Sequence, residues 1–566
     1  MKNIIFSKSY IILYILIIFV YALGTFIPLI ENDSAQHAVM AMRMHLYNDY
    51  LNLYRGIDPY LDKPHMHFWL AALSYKIFGL NQFAYRIPAL IFTAIGAFSC
   101  FKLFQDLYKD KEKAHWASLV FLTVQAIFLA NHDVRTDAVL TGTVILSLWQ
   151  LYRFLTFHKT SEIVIGAFAM GIAFSCKGLL GLVVIGLSLL SHLAYTRTWK
   201  ALLTPKLLIG VMVFLATITP VLYAFYVQYD LHPELAINGV NNISGIKFIL
   251  WDQSFNRMTA HGYVPDSPDY FFFFHTILWV FLPWPLIFYT GLFNRIARLV
   301  KNKFQQTEYL EWITTGGIIL TLLIISASKT KLPHYLNSLL PSMAILTAGF
   351  VFYLHKTKQQ KVLTYLLYTS YFVLGVATLG VIGLLFFTFG FPKWYILLST
   401  SVVIALIVLF IKSNQLTSKK IIVITALTGI LINITMNGYF YQHLLEYQSG
   451  KFMAAYIHNE LDDEQVFIID REYRWSLDFY SKQIVPNLSS ENLVTIEQPI
   501  LIATNHPEEI QETIKGHNLK MELVKTFDDF RITRVSLKFL NPNKRAKQVG
   551  EAYLYRIIPI KSRFQR

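Results

Sequence analysis

Long apolar runs recur along the chain from residue 10 to residue 440, separated by short polar segments. Most of these runs are close to the about 20 residues that an α-helix needs to cross a bilayer. They predict thirteen membrane spans, at 10–30, 83–107, 114–131, 138–157, 162–175, 177–196, 206–228, 269–293, 311–327, 335–354, 362–391, 394–412 and 420–440. No small-residue cleavage site follows the first run, so we interpret it as a helix rather than as a signal peptide. The pattern predicts a polytopic α-helical membrane protein.

Two of the predicted outer loops are long, at about 31–82 and 229–268. The first has an amphipathic pattern, in which Ala35, Ala38, Val39, Met42 and Leu46 share one helix face. This pattern predicts an amphipathic helix that lies along the membrane surface, with Asp33 and Gln36 in a capping arrangement.

The last 119 residues, 448–566, are polar and have a different pattern. Strand-like runs occur at 466–469, 499–503, 521–527 and 553–560, with a helical segment near 507–517. We therefore predict two domains: a membrane domain over residues 1–447, and a small C-terminal α/β domain over residues 448–566.

The composition excludes several classes of protein. Hydrophobic residues make up 54% of the chain and charged residues only 15%, whereas soluble domains carry about 25% charged residues. The net charge of +15 could suggest a nucleic-acid partner, but residues 451–566 hold 17 basic and 16 acidic residues, a net of +1. The excess therefore lies in the loops between spans. The two cysteines, Cys100 and Cys176, exclude a disulfide framework.

The distribution of these basic residues predicts the orientation. With the N-terminus in the cytoplasm, six consecutive inward connections are basic, because cytoplasmic loops carry an excess of Lys and Arg. They hold Lys109, Lys111 and Lys113; Arg153 and Lys159; Arg197, Lys200 and Lys206; Arg295, Arg298, Lys301 and Lys303; Lys356, Lys358 and Lys361; and Lys412, Lys419 and Lys420. Thirteen spans then put the C-terminal domain outside the cytoplasm.

Ionisable residues are scarce in the middle of the spans, where ion-coupled transporters usually need them. They cluster instead at the predicted outward helix ends: Asp33, Asp62, Lys63, Asp133, Arg135, Asp137, Lys177, Arg257, His261, Lys329, Lys331, His334 and Tyr335. Such a mixture suits transfer of a group from a lipid-linked phosphate. Cations stabilise the charge on a departing phosphate, and a carboxylate takes the proton of an acceptor hydroxyl.

Each of these residues also has a purely structural interpretation. Asp33 and Asp137 could cap or favour a helix N-terminus, and Lys177 could extend to the membrane interface. Single histidines such as His261 and His275 are more often structural than metal ligands. Other residues fit ordinary loop or packing roles: Lys329, Lys331, the phenylalanines 271–274, Trp279 and Trp284.

The order of five segments resembles the membrane glycosyltransferases of the GT-C superfamily. The resemblance is closer to the protein mannosyltransferase-like family, in its bacterial branch typified by the aminoarabinose lipid A transferase ArnT. The segments are ENDSAQHAVMAMRM, YLDKPHMHFWLAALSYKIFGLNQFAYRIPAL, NHDVRTDAVL, AFSCKGLLGL and SASKTKLPHYLNSLLP. Two departures stand out: Ser34 replaces a second acid, and Leu179 replaces a proline. The resemblance implies the GT-C fold.

By position, the resemblance implies roles for individual residues. Asp33 becomes the catalytic carboxylate, and Asp137 its partner near the acceptor or the base. Lys63, Arg257 and Tyr335 become ligands of the donor phosphate, and the outward lysines Lys177 and Lys329 are added to this set. One divalent metal ion is implied at Asp62 and His261. Single-carboxylate catalysis by Asp33 is the working hypothesis.

Together, the outward ionisable residues and the resemblance predict that the protein is an inverting glycosyltransferase of the bacterial inner membrane. Its active site is predicted to lie on the periplasmic face. The resemblance implies a polyprenyl (undecaprenyl) phosphate sugar as donor and a lipid A-type or other envelope glycolipid as acceptor. A protein Ser or Thr hydroxyl is the alternative acceptor; the Trp-Trp-Asp signature of Asn-linked transfer is absent. A non-catalytic lipid flippase or transporter is the alternative from another functional class.

Overall fold

The computed structural model describes residues 8–237, 239–255 and 269–560. Its membrane part is a bundle of helices joined mostly by short connections. In chain order, α1 to α17 are Ser9–Thr25, Asp33–Tyr47, Met66–Phe78, Gln82–Tyr108, Lys111–Leu122, Gln125–His132, Asp137–Phe157, Thr160–Lys177, Leu179–Thr196, Lys206–Phe225, Phe272–Val280, Pro285–Lys301, Ile313–Ala327, Leu340–Lys356, Gln360–Phe387, Trp394–Ile411 and Thr417–Thr435. A polytopic helical fold is thereby confirmed.

The number of spans is close to the prediction but not identical to it. In the described residues, nine helices are long and apolar enough to cross a membrane, and the pair α5 and α6, bent by 59°, makes up to ten. The helices α1 and α13 are apolar but shorter. The predicted span 269–293 is divided into α11 and α12. Pro283 lies in this break, where its missing amide hydrogen interrupts helical hydrogen bonding.

The C-terminal domain contains a five-stranded mixed sheet. The first two strands, β1 (Tyr54–Arg55) and β2 (Asp58–Pro59), belong to the first outer loop. In the C-terminal domain, strands β3 to β7 are Val466–Ile469, Asn487–Leu488, Ile500–Thr504, Leu519–Asp529 and Gly550–Pro559, and the helices α18 to α20 are Ser449–Glu460, Trp475–Tyr480 and Pro507–Ile514. The strand order is β4-β3-β5-β7-β6, with β3 parallel to both β4 and β5. Four strands overlap the predicted runs. The two-residue strand β4 was not predicted, because it is too short to produce a pattern.

The helix α2 forms where the amphipathic pattern predicts it, but it is more buried than that pattern indicates. It is buried on more than its apolar face: Ser34, His37, Met40, Ala41 and Met44 are buried beside the expected residues, while Leu46 is exposed. Trp475 and Phe479 of α19 share its hydrophobic cluster with residues of α3. The helix is therefore enclosed between the bundle and the C-terminal domain, because that domain covers the face that sequence assigned to solvent.

A buried arginine fixes the chain between α1 and α2. Arg86, near the start of α4, donates hydrogen bonds to the carbonyl oxygens of Thr25 at 3.0 Å, Pro28 at 3.2 Å and His132 at 2.9 Å, and to that of Ile27. A buried carbonyl oxygen without a hydrogen bond lowers the stability of the fold. The Arg86 guanidinium has five N–H donors, so it can satisfy the carbonyl groups of several segments that meet here. The first outer loop, which also contains the two-stranded hairpin Tyr54–Arg55 and Asp58–Pro59, begins from this anchor.

The C-terminal domain docks at one end of the bundle, which we call the outward end. Arg545 donates a hydrogen bond to the carbonyl oxygen of Thr388, just after α15, at 2.6 Å, and its guanidinium lies 4.3 Å from the Phe389 ring centroid. Basic residues predicted to face inward meet acids at the opposite end, as Lys356 does with Asp110 at 3.7 Å. The predicted outer connections therefore lie at one end of the bundle, and the predicted inner connections lie at the other.

Candidate active site

Asp33, the first residue of α2, lies at the outward end beside an arginine from the loop between α6 and α7. Arg135 Nη1 is 3.0 Å from Asp33 Oδ2, and its Nη2 is 2.6 Å from Asp133 Oδ2. The Asp33 side chain is 58% exposed, compared with 11% for Asp133. Asp33 makes no side-chain cap of α2, whose N-cap residue is Asn32. Its carboxylate therefore faces open space while Arg135 holds it on one side.

Lys177 and Asp137 form a second, buried pair. Lys177 Nζ is 2.6 Å from Asp137 Oδ1, and the two side chains are 3% and 7% exposed. Asp137 begins α7 and Lys177 ends α8, so adjacent helices carry the two charges. The ammonium also lies 5.5 Å from the ring centroid of Tyr335, which belongs to the short 3-10 helix Pro333–Leu339.

Lys63 and Asp62 form the third pair, in the first outer loop. Lys63 Nζ is 2.9 Å from Asp62 Oδ2. The neighbouring His37 is fully buried in α2: burial lowers its pKa well below the usual value, and the charges of Lys63 and Arg135 act in the same direction. Burial therefore favours the neutral form of the His37 imidazole, and the positive charges of Lys63 and Arg135 both act on it.

His334 connects all three pairs. Its imidazole is half-buried and interacts electrostatically with Lys177, Asp137, Arg135 and Lys63. These four residues come from three separate segments of the chain, with Arg135 and Asp137 in the same one, so their approach is produced by the fold. The structure thus brings together most of the outward charges that the sequence singled out.

A cavity of about 780 Å³ lies between the first outer loop and the C-terminal domain. Its carboxylates are Glu31, Asp33, Asp133, Glu472 and Asp529, and its cations are Arg55, Arg135, Arg471, Arg474 and Arg531. Asp33 and Arg135 therefore face this space, whereas Lys63 is not part of its lining in the described residues. Such a lining suits a polar ligand that carries charged groups of both signs.

A second cavity, of about 160 Å³, is mainly apolar and begins at Lys177 and Tyr335. Leu180 and Val183 of α9 and Ile324 and Ile325 of α13 form its deeper wall. The cation therefore stands at the outward end of an apolar groove between two membrane helices. This arrangement fits a ligand with a hydrocarbon chain and an anionic head.

Gly178, between α8 and α9, allows the chain to turn beside Lys177. Its φ is +62°, and a Cβ atom there would lie 2.3 Å from Gln253 Oε1. We expect Gly178→Ala to destabilise the protein by about 1–3 kcal/mol, because backbone strain of this kind has that cost. Gly186→Ala, in α9 with nothing within 4 Å of its Cβ, is the matched control for thermal unfolding in detergent. Equal melting temperatures would contradict this explanation.

Two predicted site residues, Arg257 and His261, lie outside the described residues. In the part of the chain that is described, no group of three or more His, Cys, Asp and Glu side chains is arranged to hold a metal ion. Asp62, the other predicted metal ligand, has the Lys63 ammonium 2.9 Å from its Oδ2. Because His261 lies outside the described residues, the metal ion at Asp62 and His261 stays a prediction.

The lysines before Tyr335 lie apart from both cavities. Lys329 is exposed and, among the described residues, belongs to neither lining. Lys331 is buried, with its Nζ 5.6 Å from the Tyr270 ring centroid. Only the tertiary structure separates these lysines from Lys177, since all three precede or follow outward helix ends in the sequence.

Several residues at the site were not singled out by sequence. Glu31 and Arg55 line the larger cavity from the first outer loop, and Arg474 and Asp529 line it from the C-terminal domain. The sequence contained one signal for Glu31, because this residue begins the segment ENDSAQHAVMAMRM that also contains Asp33. The residues of the C-terminal domain had none, because the sequence does not say which edge of the domain meets the membrane part.

Comparisons with known sequences agree with this architecture. Residues 62–223 match the family described as dolichyl-phosphate-mannose-protein mannosyltransferase. An uncharacterized protein of Aquifex aeolicus is 28% identical over 370 residues, covering 65% of this chain and 67% of that protein. An undecaprenyl phosphate-alpha-4-amino-4-deoxy-L-arabinose arabinosyl transferase of Pseudomonas fluorescens is 24% identical over 57% of this chain. The match spans only about half, 55%, of that relative's length.

Solved structures extend the likeness to almost the whole chain. ArnT from Cupriavidus metallidurans bound to undecaprenyl phosphate superposes with a TM-score of 0.72 at 17% identity, covering 92% of this chain and 96% of ArnT. The same protein in the apo state gives the same score over 97% of this chain. In its overall fold, therefore, the chain is similar to these ArnT structures.

Proposed function

We propose that the chain is an integral membrane glycosyltransferase that moves a sugar from a polyprenyl phosphate to an acceptor at the outward, extracytoplasmic face. The observation that carries this proposal is the pairing of two spaces at one end of the bundle. An apolar groove begins at Lys177 and Tyr335, and a polar cavity contains the exposed carboxylate of Asp33. Arg135 binds Asp33 and also interacts electrostatically with the buried pair at Lys177.

The donor would place its isoprenoid chain along the apolar groove and its phosphate beside Lys177. A lysine ammonium is a point charge that stabilises phosphate oxygens, and Lys63 and Tyr335 belong to the same group of outward side chains. Arg257 remains a proposed additional ligand from the second outer loop. The crystal structure of ArnT with undecaprenyl phosphate supports this class of donor. Asp137 would hold Lys177 in place rather than accept a proton, because its carboxylate is buried against that ammonium.

Asp33 would act as the general base. The acceptor hydroxyl would lose its proton to the Asp33 carboxylate and attack the anomeric carbon on the side opposite the phosphate. The bond from the anomeric carbon to the phosphate oxygen would break, leaving polyprenyl phosphate and inverting the configuration. Holding both reactants at one face contributes proximity. The contact of Arg135 with Oδ2 would orient the carboxylate.

The acceptor would occupy the cavity of about 780 Å³. Five arginines and five carboxylates in its lining favour a headgroup with phosphates or other charged groups, so we propose a lipid A-type or other envelope glycolipid. A protein Ser or Thr hydroxyl is the second candidate, on the strength of the mannosyltransferase family match.

The test is a transfer assay with purified protein and radiolabelled polyprenyl-phosphate sugar. We expect the label to appear in a glycolipid, and mass spectrometry of lipid A and of envelope proteins from cells with and without the gene identifies the acceptor. A lipid flippase would give no covalent product in this assay, so complete absence of transfer to every envelope fraction would overturn the proposal.

A further inference from the structure

The short segment that leads from α1 to Asp33 is held by the C-terminal domain through several hydrogen bonds. Gln448 Nε2 donates to the Leu29 carbonyl oxygen at 2.8 Å, and Gln448 Oε1 accepts from the Glu31 amide at 2.9 Å. The Leu29 amide donates to Tyr480 Oη at 2.9 Å, and the Ser476 amide donates to Glu31 Oε1 at 2.5 Å. The amide and carbonyl groups of Leu29 are therefore hydrogen-bonded to residues more than 400 positions away in the sequence. The same is true of the amide and the carboxylate of Glu31.

We infer that Gln448 and the Ser476 amide are positioning groups for Asp33, so that the C-terminal domain helps to set the geometry of the base. This inference rests on the proposed function, in which Asp33 accepts the proton. Glu31 is two residues before Asp33, and Asn32 between them is the N-cap residue of α2. A displacement of Leu29 or Glu31 would therefore move the first turn of the helix that carries the carboxylate.

The surroundings of these contacts make them rigid. Gln448 is buried, and Gly450 approaches Ser476 so closely that a Cβ atom there would lie 2.7 Å from the Leu477 amide nitrogen. Trp475 packs in the same hydrophobic cluster as Ala35 of α2. Burial raises the pKa of Glu31 to about 7, although the hydrogen bonds from Ser476 oppose this shift. A side chain enclosed in this way has little freedom to adjust if one partner is lost.

The same domain has a second attachment that does not involve Asp33. Arg545 binds the carbonyl oxygen of Thr388 and lies over Phe389. This attachment provides a matched control, because Arg545→Met weakens docking of the domain but leaves the contacts of Leu29 and Glu31 in place. If Gln448 positions Asp33, Gln448→Met and Arg545→Met should therefore differ in their effects. If Gln448 only helps to dock the domain, the two variants should behave alike.

The experiment compares Gln448→Met, which keeps the length of the side chain but removes both hydrogen bonds, with Arg545→Met in the full-length protein. We expect Gln448→Met to lower kcat of sugar transfer about 100-fold, since a displacement of about 1 Å at a reacting group costs this much, with KM for the donor little changed. Glu31→Ala should behave like Gln448→Met. Glu31→Gln retains an oxygen acceptor for the Ser476 amide and should recover most of the rate.

Hydrogen–deuterium exchange gives a second readout that does not depend on activity. We expect faster exchange at the amides of Ala35 and Gln36 in Gln448→Met than in Arg545→Met or the unchanged protein. Equal exchange in the two variants, or an equal fall in kcat, would overturn the positioning role. If the unchanged protein transfers no sugar, the proposed function fails, while the exchange comparison still decides whether Gln448 holds the start of α2.

Discussion

Replacing Asp33 by Asn is expected to reduce the turnover of sugar transfer by about 10²–10⁴-fold, the usual effect of losing a general base. Asn is nearly isosteric with Asp but cannot take the proton of the acceptor hydroxyl. In the proposed mechanism the donor occupies the groove at Lys177 and not the cavity at Asp33, so its affinity should hardly change. Transfer of radiolabelled sugar by purified protein in nanodiscs gives kcat, and binding of a labelled polyprenyl phosphate gives Kd. Full turnover in Asp33→Asn would remove this residue from the mechanism.

Asp133→Asn is the matched variant, because Asp133 also binds Arg135 and also lines the larger cavity. If Asp33 acted only through its ion pair with Arg135, the two substitutions would have similar effects on kcat. We expect a much smaller decrease for Asp133→Asn, since its side chain is 11% exposed against 58% for Asp33 and is less accessible to an acceptor. Similar kcat values for the two variants would therefore contradict the role of a base.

Lys177→Met is expected to have two large effects, one on stability and one on donor binding. It leaves the Asp137 carboxylate buried without its ammonium partner, and breaking a buried ion pair in this way costs about 3–5 kcal/mol of the free energy of unfolding. It also removes the cation at the outward end of the apolar groove. A hydrogen bond to a charged group is worth about 1.5–3 kcal/mol, so Kd for polyprenyl phosphate should rise about 10- to 100-fold.

The double variant Lys177→Met with Asp137→Asn separates these effects. Neutralising both members should recover much of the stability, measured by thermal unfolding in detergent, without recovering donor affinity. Lys247→Met is the control, because Lys247 is an exposed lysine of the second outer loop whose ion pair with Asp252 is long, at 4.0 Å. Normal donor affinity in the double variant would show that Lys177 serves only to compensate the buried charge of Asp137.

Local sequence patterns predicted the membrane helices well. They predicted the breaks between and within these helices less well. A break between the spans 162–175 and 177–196 was predicted, and the structure has it two residues later, at Gly178, with α8 and α9 on either side. The division of 269–293 was missed, since Pro283 lies inside a continuous apolar run. The burial of α2 was underestimated for a different reason: its amphipathic pattern records one apolar face but not which other part of the chain covers the remaining sides.

The sequence by itself determined the helical membrane fold, the separation of charged residues from the spans and the set of outward ionisable residues. These features depend on hydrophobicity and charge, which act through the solvent that surrounds each segment. Only the tertiary structure determined which of these residues contact one another. It joins Arg135 to Asp33 across 102 positions and the Leu29 amide to Tyr480 across 451, and it leaves Lys329 outside both cavities. Such contacts between distant segments depend on how the whole chain packs, which no local pattern encodes.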